Sequence, residues 1–276
     1  MKCFLVSEKD TLPNLNFWLE KGYIQKVEKL ELLGKPEALY MLKQKDSFAF
    51  VDIESSPVLM ELFSHQSVPM REASCFDFIH FQNEKYWPEL FLMEALSQKI
   101  VLKAPKLNTH SIAYVTGSTA MVRLVIAVLF KLGFKQFNIV SDDLDQSALL
   151  VEELKRKFFS INITLIKNTE LTLQPNNGSV LMNTLSFGSN SIILEDLYYL
   201  NFISKDGLVV DLNFFSAANN LVDEAKHVSI LYLTGIEVGA YRDFLMLKSI
   251  LKDFKITFES YLDLFEKFLA KQENNT

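Results

Sequence analysis

Apolar residues along this chain recur at two different periods, and stretches of the two kinds alternate. Cys3 to Val6, Phe48 to Val51 and Ile112 to Thr116 are apolar at almost every position, the pattern of strands buried on both faces. Between them, spacings of three and four predict helices. Asn14 to Tyr23 sets Leu15, Trp18, Leu19 and Tyr23 on one face. Pro36 stands at a first helical turn ahead of Ala38, Leu39, Met41 and Leu42. Pro57 opens a further short helix through Phe63. Phe76 to Phe81 reads as a strand, and Leu90, Met93, Leu96 and Ile100 mark a helix from Glu89 to Leu102.

The second half alternates more regularly. Strands are predicted at Ile112 to Thr116, Phe137 to Ser141, Ile161 to Ile166, Ser179 to Thr184, Leu208 to Leu212 and Val228 to Leu233. Helices are predicted at Ala120 to Leu132, stopped by Gly133, and at Gln146 to Phe159, with Leu149, Leu150, Leu154 and Phe158 buried. Others fall at Leu221 to Ala225, at Tyr241 to Phe254 after Gly235, and along Phe258, Leu262, Phe265 and Leu269. Alternation of this kind specifies an α/β fold. The expected division is a small N-terminal α/β domain over 1–104, a Rossmann domain with a doubly wound parallel sheet over 105–250, and a C-terminal helix and polar tail over 251–276. Ala104 to Thr109 is the expected hinge. A cleft between the two domains is the expected ligand site.

At 276 residues each domain is large enough to bury its own core. The net charge of -6 argues against non-specific nucleic-acid binding, which needs a basic surface. Cys3 and Cys75 are the only cysteines and neither has a CxxC partner, so neither a zinc site nor a disulfide framework is expected. His65, His80, His110 and His227 show no ligand-like spacing, and no metal is expected. No stretch has the length of a membrane span and no secretory leader is legible, so a cytoplasmic protein is expected. The 23 phenylalanines leave room for a protein partner, a homodimer included, if some lie outside.

Candidate chemistry centres on the turn after Ile112 to Thr116. Gly117-Ser118-Thr119-Ala120 joins a strand to a helix, where backbone N–H groups and the helix dipole favour an anion. Gly117, Ser118, Thr119 and Ala120 are therefore candidate cofactor-binding residues. A Cβ at Thr119 stands where the backbone usually approaches a pyrophosphate most closely, so a retained scaffold with no cofactor is the other reading. The next strand ends in Ser141-Asp142-Asp143. A carboxylate at Asp142 would accept from adenosine ribose hydroxyls and repel a 2′-phosphate, favouring NAD over NADP. Alternatively, Asp142 or Asp143 caps the following helix.

From about Asn108 to Ile250 the chain resembles the shikimate/quinate dehydrogenase family. The family's Gly-Ala-Gly-Gly-Ala-Ala-Arg loop falls on Gly117 to Arg123, keeping the first Gly and the Arg. Its Asn-Arg-Thr segment, whose Arg holds the NADP 2′-phosphate, falls on Ser141-Asp142-Asp143. The Asn-Ala-Thr-Pro-x-Gly turn falls on Asn183-Thr184-Leu185-Ser186-Phe187-Gly188, and the Asp-Leu segment on Val210-Asp211-Leu212-Asn213-Phe214-Phe215. The Gly-x-x-Met-Leu-x-x-Gln segment, which helps bind substrate and nicotinamide, falls on Gly235 to Arg242 with Arg242 in place of Gln. The resemblance adds Asn183 and Gly235 to the cofactor-binding candidates and Arg242 as a substrate candidate.

The first half departs from the family. Its Asn-Val-Thr-x-Pro-x-Lys motif, which supplies a Lys for proton transfer, finds no counterpart before residue 104. The paired Asp of Asn-Thr-Asp-Gly would fall near Asn83 to Pro88, where Lys85 and Glu89 are the ionisable residues and Lys85 is the catalytic candidate. Ser55-Ser56-Pro57 is the nearest look-alike of the Ser-x-Ser that holds the substrate carboxylate. Together these departures imply a shikimate-dehydrogenase-like pseudoenzyme that binds a small ligand or a protein partner. The alternative is an NAD(P)-dependent oxidoreductase for a small hydroxy acid such as shikimate or quinate.

Overall fold

A computed structural model describes residues 1–32, 36–44, 46–117, 119–185, 199–215 and 220–273. The chain divides into two compact units, Met1–Glu94 with Ala240–Thr276, and Ala95–Gly239.

The first unit is built on a mixed five-stranded sheet in the order β2-β1-β3-β4-β5, with β1 at Lys2–Val6, β2 at Lys26–Lys29, β3 at Ser47–Val51, β4 at Phe78–Gln82 and β5 at Lys85–Glu89. Strand β1 runs parallel to β2 and β3, while β4 and β5 are antiparallel additions. The sequence pattern missed β2 and β5, both edge strands. β2 (KVEK) has a single apolar residue, and β5 carries Pro88, which an edge strand tolerates because it need not donate there. Asn83 and Glu84 between β4 and β5 both have positive φ (50° and 60°), as a tight two-residue hairpin requires, without the glycine that would have announced it.

Aromatic side chains fill this unit's core. Helix α1 (Pro13–Glu20) turns Phe17 toward Tyr261, Phe265 and Phe268, with ring centroids 5.2–5.5 Å apart. Trp18 packs on Phe48 and Phe50, and its Nε1 donates to the Tyr261 hydroxyl at 2.8 Å. The apolar stripe of the final helix thus completes the first unit. Among the described phenylalanines only Phe159 is exposed, so the Phe-rich composition serves the interior.

In the second unit six strands are all parallel, in the order β11-β10-β9-β6-β7-β8. They are β6 (Ile112–Thr116), β7 (Gln136–Val140), β8 (Asn162–Ile166), β9 (Gly178–Asn183), β10 (Ile203–Asp211) and β11 (Leu231–Leu233). Read from the β8 edge, the order by position in this unit is 3-2-1-4-5-6, the doubly wound arrangement of a Rossmann sheet, and the direction in which successive strands are added reverses between β6 and β9. Helices α4 (Ala120–Lys131), α5 (Leu144–Lys157) and α6 (Asn220–His227) provide its crossovers among the described residues. α5 buries Ser147, Leu150, Val151 and Leu154, so Leu149, expected inside, is 71% exposed; the buried stripe runs one position further along the helix.

The two-unit α/β architecture and the parallel sheet follow the expected fold class. The dividing points fall inside helices α3 (Phe91–Lys103) and α7 (Gly235–Ile250), not at 104 and 250. Helix α7 begins at Gly235 itself, earlier than the periodicity indicated. The expected hinge is pinned into the second unit, where the Ser179 hydroxyl donates to the Asn108 carbonyl at 2.7 Å. No helix among the described residues is long and apolar enough to cross a membrane.

Candidate functional site

At the reversal point of the parallel sheet, the C-terminal ends of β6, β9 and β10 are joined by a buried polar chain. The Thr116 hydroxyl donates to Asn183 Oδ1 at 2.7 Å, and Asn183 Nδ2 donates to Asp211 Oδ1 at 2.5 Å. Asn213 Nδ2 donates to the same Asp211 carboxylate at 2.8 and 3.1 Å. Asn183, Asp211 and Thr116 are all fully buried, and hydrogen bonds of this kind offset the cost of taking them from water. The Thr184 hydroxyl donates to the Thr116 carbonyl at 2.6 Å, which brings it against Gly117. A Cβ added at Gly117 would lie 2.5 Å from Thr184 Oγ1 and 3.4 Å from Leu185, and Gly117 has φ +108°. Glycine is therefore demanded at 117 by the chain's own neighbours, whether or not a nucleotide binds.

Ser118 lies outside the described residues, as do Ser186, Phe187 and Gly188. Thr119 is the exposed, extended residue before α4, and its side chain makes no capping bond. Ala120 is the first, buried residue of α4. Arg123, the Arg retained from the family loop, makes a bidentate pair with Glu153 of α5 at 2.8–3.1 Å and so ties two helices together. These hydrogen bonds, with the Arg123 charge adding to them, also hold the Glu153 carboxyl below the usual range.

The two readings of the acidic pair separate in the structure. Asp143 is the cap of α5, accepting from Gln146 N at 3.0 Å, while Asp142 stands exposed at the end of β7. Around Gly235 the packing is internal. A Cβ at that position would run into the Asn213 backbone, and Thr234 with Glu237 forms a reciprocal cap on α7 at 3.2–3.3 Å.

Arg242 is 4% exposed. Its Nε and Nη2 donate to Asp243 Oδ1 at 2.9 and 2.8 Å, and its guanidinium carbon lies 4.8 Å from the Phe50 ring centre. Asp77 completes this buried group. It accepts from the backbone N–H groups of Phe91 and Leu92 at 2.8 and 2.7 Å, holding the first turn of α3. Burial pushes the Asp77 carboxyl up to about 7 despite the opposing pull of Arg242. Lys85 sits exposed next to the hairpin turn, at the start of β5. The serine look-alike is also internal: Ser56 is buried, donates to the Ile53 carbonyl and accepts from Phe76 N.

The first unit contains a cavity of about 600 Å³ beside the end of β5 and the first turn of α3, lined by His65, Gln66, Trp87, Glu89, Phe91 and Glu94 among others. Its other border is the entry to α2 (Val68–Ala73), which Ser67 caps through Met70 N at 3.4 Å. Ser67-Val68-Pro69-Met70-Arg71 keeps the Thr-x-Pro-x-Lys spacing of the family's proton-transfer motif, with Ser for Thr and Arg71 for Lys. The legible signal is the Pro two residues before a basic one, and that basic residue is an Arg and not the motif's Lys. Arg71 is exposed on α2. Among the described residues, no group of three His, Cys, Asp or Glu side chains is placed to hold a metal.

No protein-family model matches the chain, and no curated protein is similar in sequence. Solved structures are similar over nearly the whole length. Quinate dehydrogenase from Corynebacterium glutamicum, in complex with NAD, superposes with a TM-score of 0.77 at 9% identity, over 96% of this chain and 98% of that one. Shikimate dehydrogenase from Aquifex aeolicus gives 0.71 at 17% identity, over 97% and 96%. Shikimate 5-dehydrogenase from Thermus thermophilus, in complex with NADP(H) and shikimate, gives 0.71 at 13%, over 97% and 98%. The chain has the shikimate/quinate dehydrogenase fold, an oxidoreductase fold of Rossmann type.

Proposed function

We propose that this protein is a small-ligand-binding member of the shikimate dehydrogenase fold that does not carry out the dehydrogenase reaction. Arg71 carries the reading. In the family motif the Lys at that place assists proton transfer at the reacting hydroxyl, which needs a group able to give up a proton near neutral pH. A guanidinium keeps its proton at any such pH. Arg242 supports the same conclusion, since the side chain in place of the family's Gln is buried and paired with Asp243. Lys85 is exposed beside the hairpin turn and the Ser56 hydroxyl is taken up by the Ile53 carbonyl and Phe76 N, which also supports this reading. The expected result is that the purified protein, given shikimate or quinate with NAD or NADP, forms reduced cofactor no faster than the protein-free blank. Turnover at about 1 per second or more, the ordinary enzymatic range, overturns the proposal.

A second reading, an NAD-preferring dehydrogenase with another substrate, is favoured by Asp142 alone. Asp143 does the capping, and an exposed carboxylate at Asp142 after β7 would accept from ribose hydroxyls. On this reading NADH raises the melting temperature with occupancy, NADP(H) does not, and Asp142→Ala removes the shift. No shift at millimolar NADH ends it.

A further inference from the structure

The first unit's cavity has a wall and a charge that say what it would hold. Its wall is aromatic and fixed. The Trp87 ring stacks on His65, with centroids 6.4 Å apart and planes 17° from parallel, and Trp87 Nε1 donates to the Gln82 carbonyl at 3.0 Å. Trp87 is nevertheless 40% exposed, so part of that ring is open to solvent. Two carboxylates, Glu89 at the end of β5 and Glu94 in the first turn of α3, line the same space. No Lys or Arg is among the described lining residues.

The two glutamates sense each other. Burial and the Glu94 charge both push the Glu89 carboxyl above its usual range, and burial, with Glu94 adding to it, raises the Tyr241 phenol. His80 lies 3.4 Å from Glu89, but burial pushes its imidazole down, which favours the neutral form. Arg71, on the neighbouring α2, is not among the lining residues. The cavity is thus a half-enclosed space with an indole face and two glutamates in its lining, of a volume suited to a small molecule. A tryptophan face attracts cations through its ring quadrupole, most strongly where water is partly excluded, and adjacent carboxylates add to that attraction. A hydroxy-acid anion entering the same space would instead set a third carboxylate beside the two glutamates.

We propose that this cavity binds a small organic cation, an ammonium compound whose charge meets Glu89 and Glu94 while its alkyl groups lie on Trp87. The assignment rests on the reading of the chain as a ligand-binding protein and gives that ligand a chemical class, opposite in charge to shikimate or quinate.

Intrinsic fluorescence tests it directly, because Trp87 is one of only two tryptophans and the other, Trp18, is buried. The full-length protein is titrated with tetramethylammonium chloride, with sodium shikimate, and with sodium chloride as the ionic-strength control. The expected result is a saturable change with tetramethylammonium alone. Glu94→Gln and Glu89→Gln should each raise the half-saturating concentration about tenfold, and Trp87→Leu, its fold checked by circular dichroism, should abolish the change. A response to tetramethylammonium no different from sodium chloride overturns the assignment. So does saturation by shikimate at equal or lower concentration, or indifference to both glutamine substitutions. The dehydrogenase assay is run on the same preparation: turnover there overturns the non-catalytic reading, whereas failed ammonium binding without turnover overturns this inference alone.

Discussion

Asp77 shows how a single buried carboxyl makes stability depend on pH. It is fully buried, caps α3 with both oxygens, and has its carboxyl pushed up to about 7 from an ordinary value of 3.8. A carboxyl raised in the folded state holds a proton there that the unfolded chain has already released. Its contribution is therefore complete below pH 4 and is lost as pH rises toward 7, at up to about 1.4 kcal/mol per pH unit. The neighbouring Asp243 is also raised by burial, and Arg242 opposes the rise in both. Denaturant titrations between pH 4 and 7 should show stability falling with pH in the wild type. In Asp77→Asn, which cannot titrate, the fall should be shallower; equal slopes would remove Asp77 as the cause. None of this was legible in the sequence, where Asp77 is one acid among apolar neighbours. Only the fold brings it to the start of α3 and beside Arg242.

At the scale of elements, the sequence was most informative where periodicity was long and least where an edge or a turn decided the outcome. The strands of the parallel sheet could be read because a strand covered on both faces must be apolar along its length. β2 and β5 escaped because an edge strand is under no such demand. The acidic pair after β7 shows a finer limit, since type alone makes Asp142 and Asp143 equivalent and one position of register separates a cap from an exposed carboxylate. Asp143→Ala should cost about 1 kcal/mol through loss of the α5 cap, and more than Asp142→Ala costs without ligand. Thermal melts of the two variants measure both; equal losses would mean that the cap is shared. Arg71 was missed for a chemical reason. The spacing of the motif is kept while the residue that carries its chemistry is replaced.

Across the whole molecule, the first unit is made from two stretches of chain separated by all of the second. The sequence predicted the last helix without saying which unit it completes, because an apolar stripe shows that a face must be covered and not by what. Phe17 and Trp18 depend on Tyr261, Phe265 and Phe268 for cover. A chain ending before Thr257 should therefore expose Trp18, with a red-shifted emission and rapid proteolysis of the first 94 residues, while residues 95–239 stay resistant. Equal sensitivity of both units would show that the second also depends on the C-terminal helix. The same arrangement sets a timetable for the newborn chain. Met1–Glu94 leaves the ribosome first but lacks its covering helix until everything through Gly239 has been made, an interval of about ten seconds at ordinary translation rates. For that time the aromatic surface around Phe17 and Trp18 has no native cover. The first unit can therefore be completed only after the whole of the second has been synthesised.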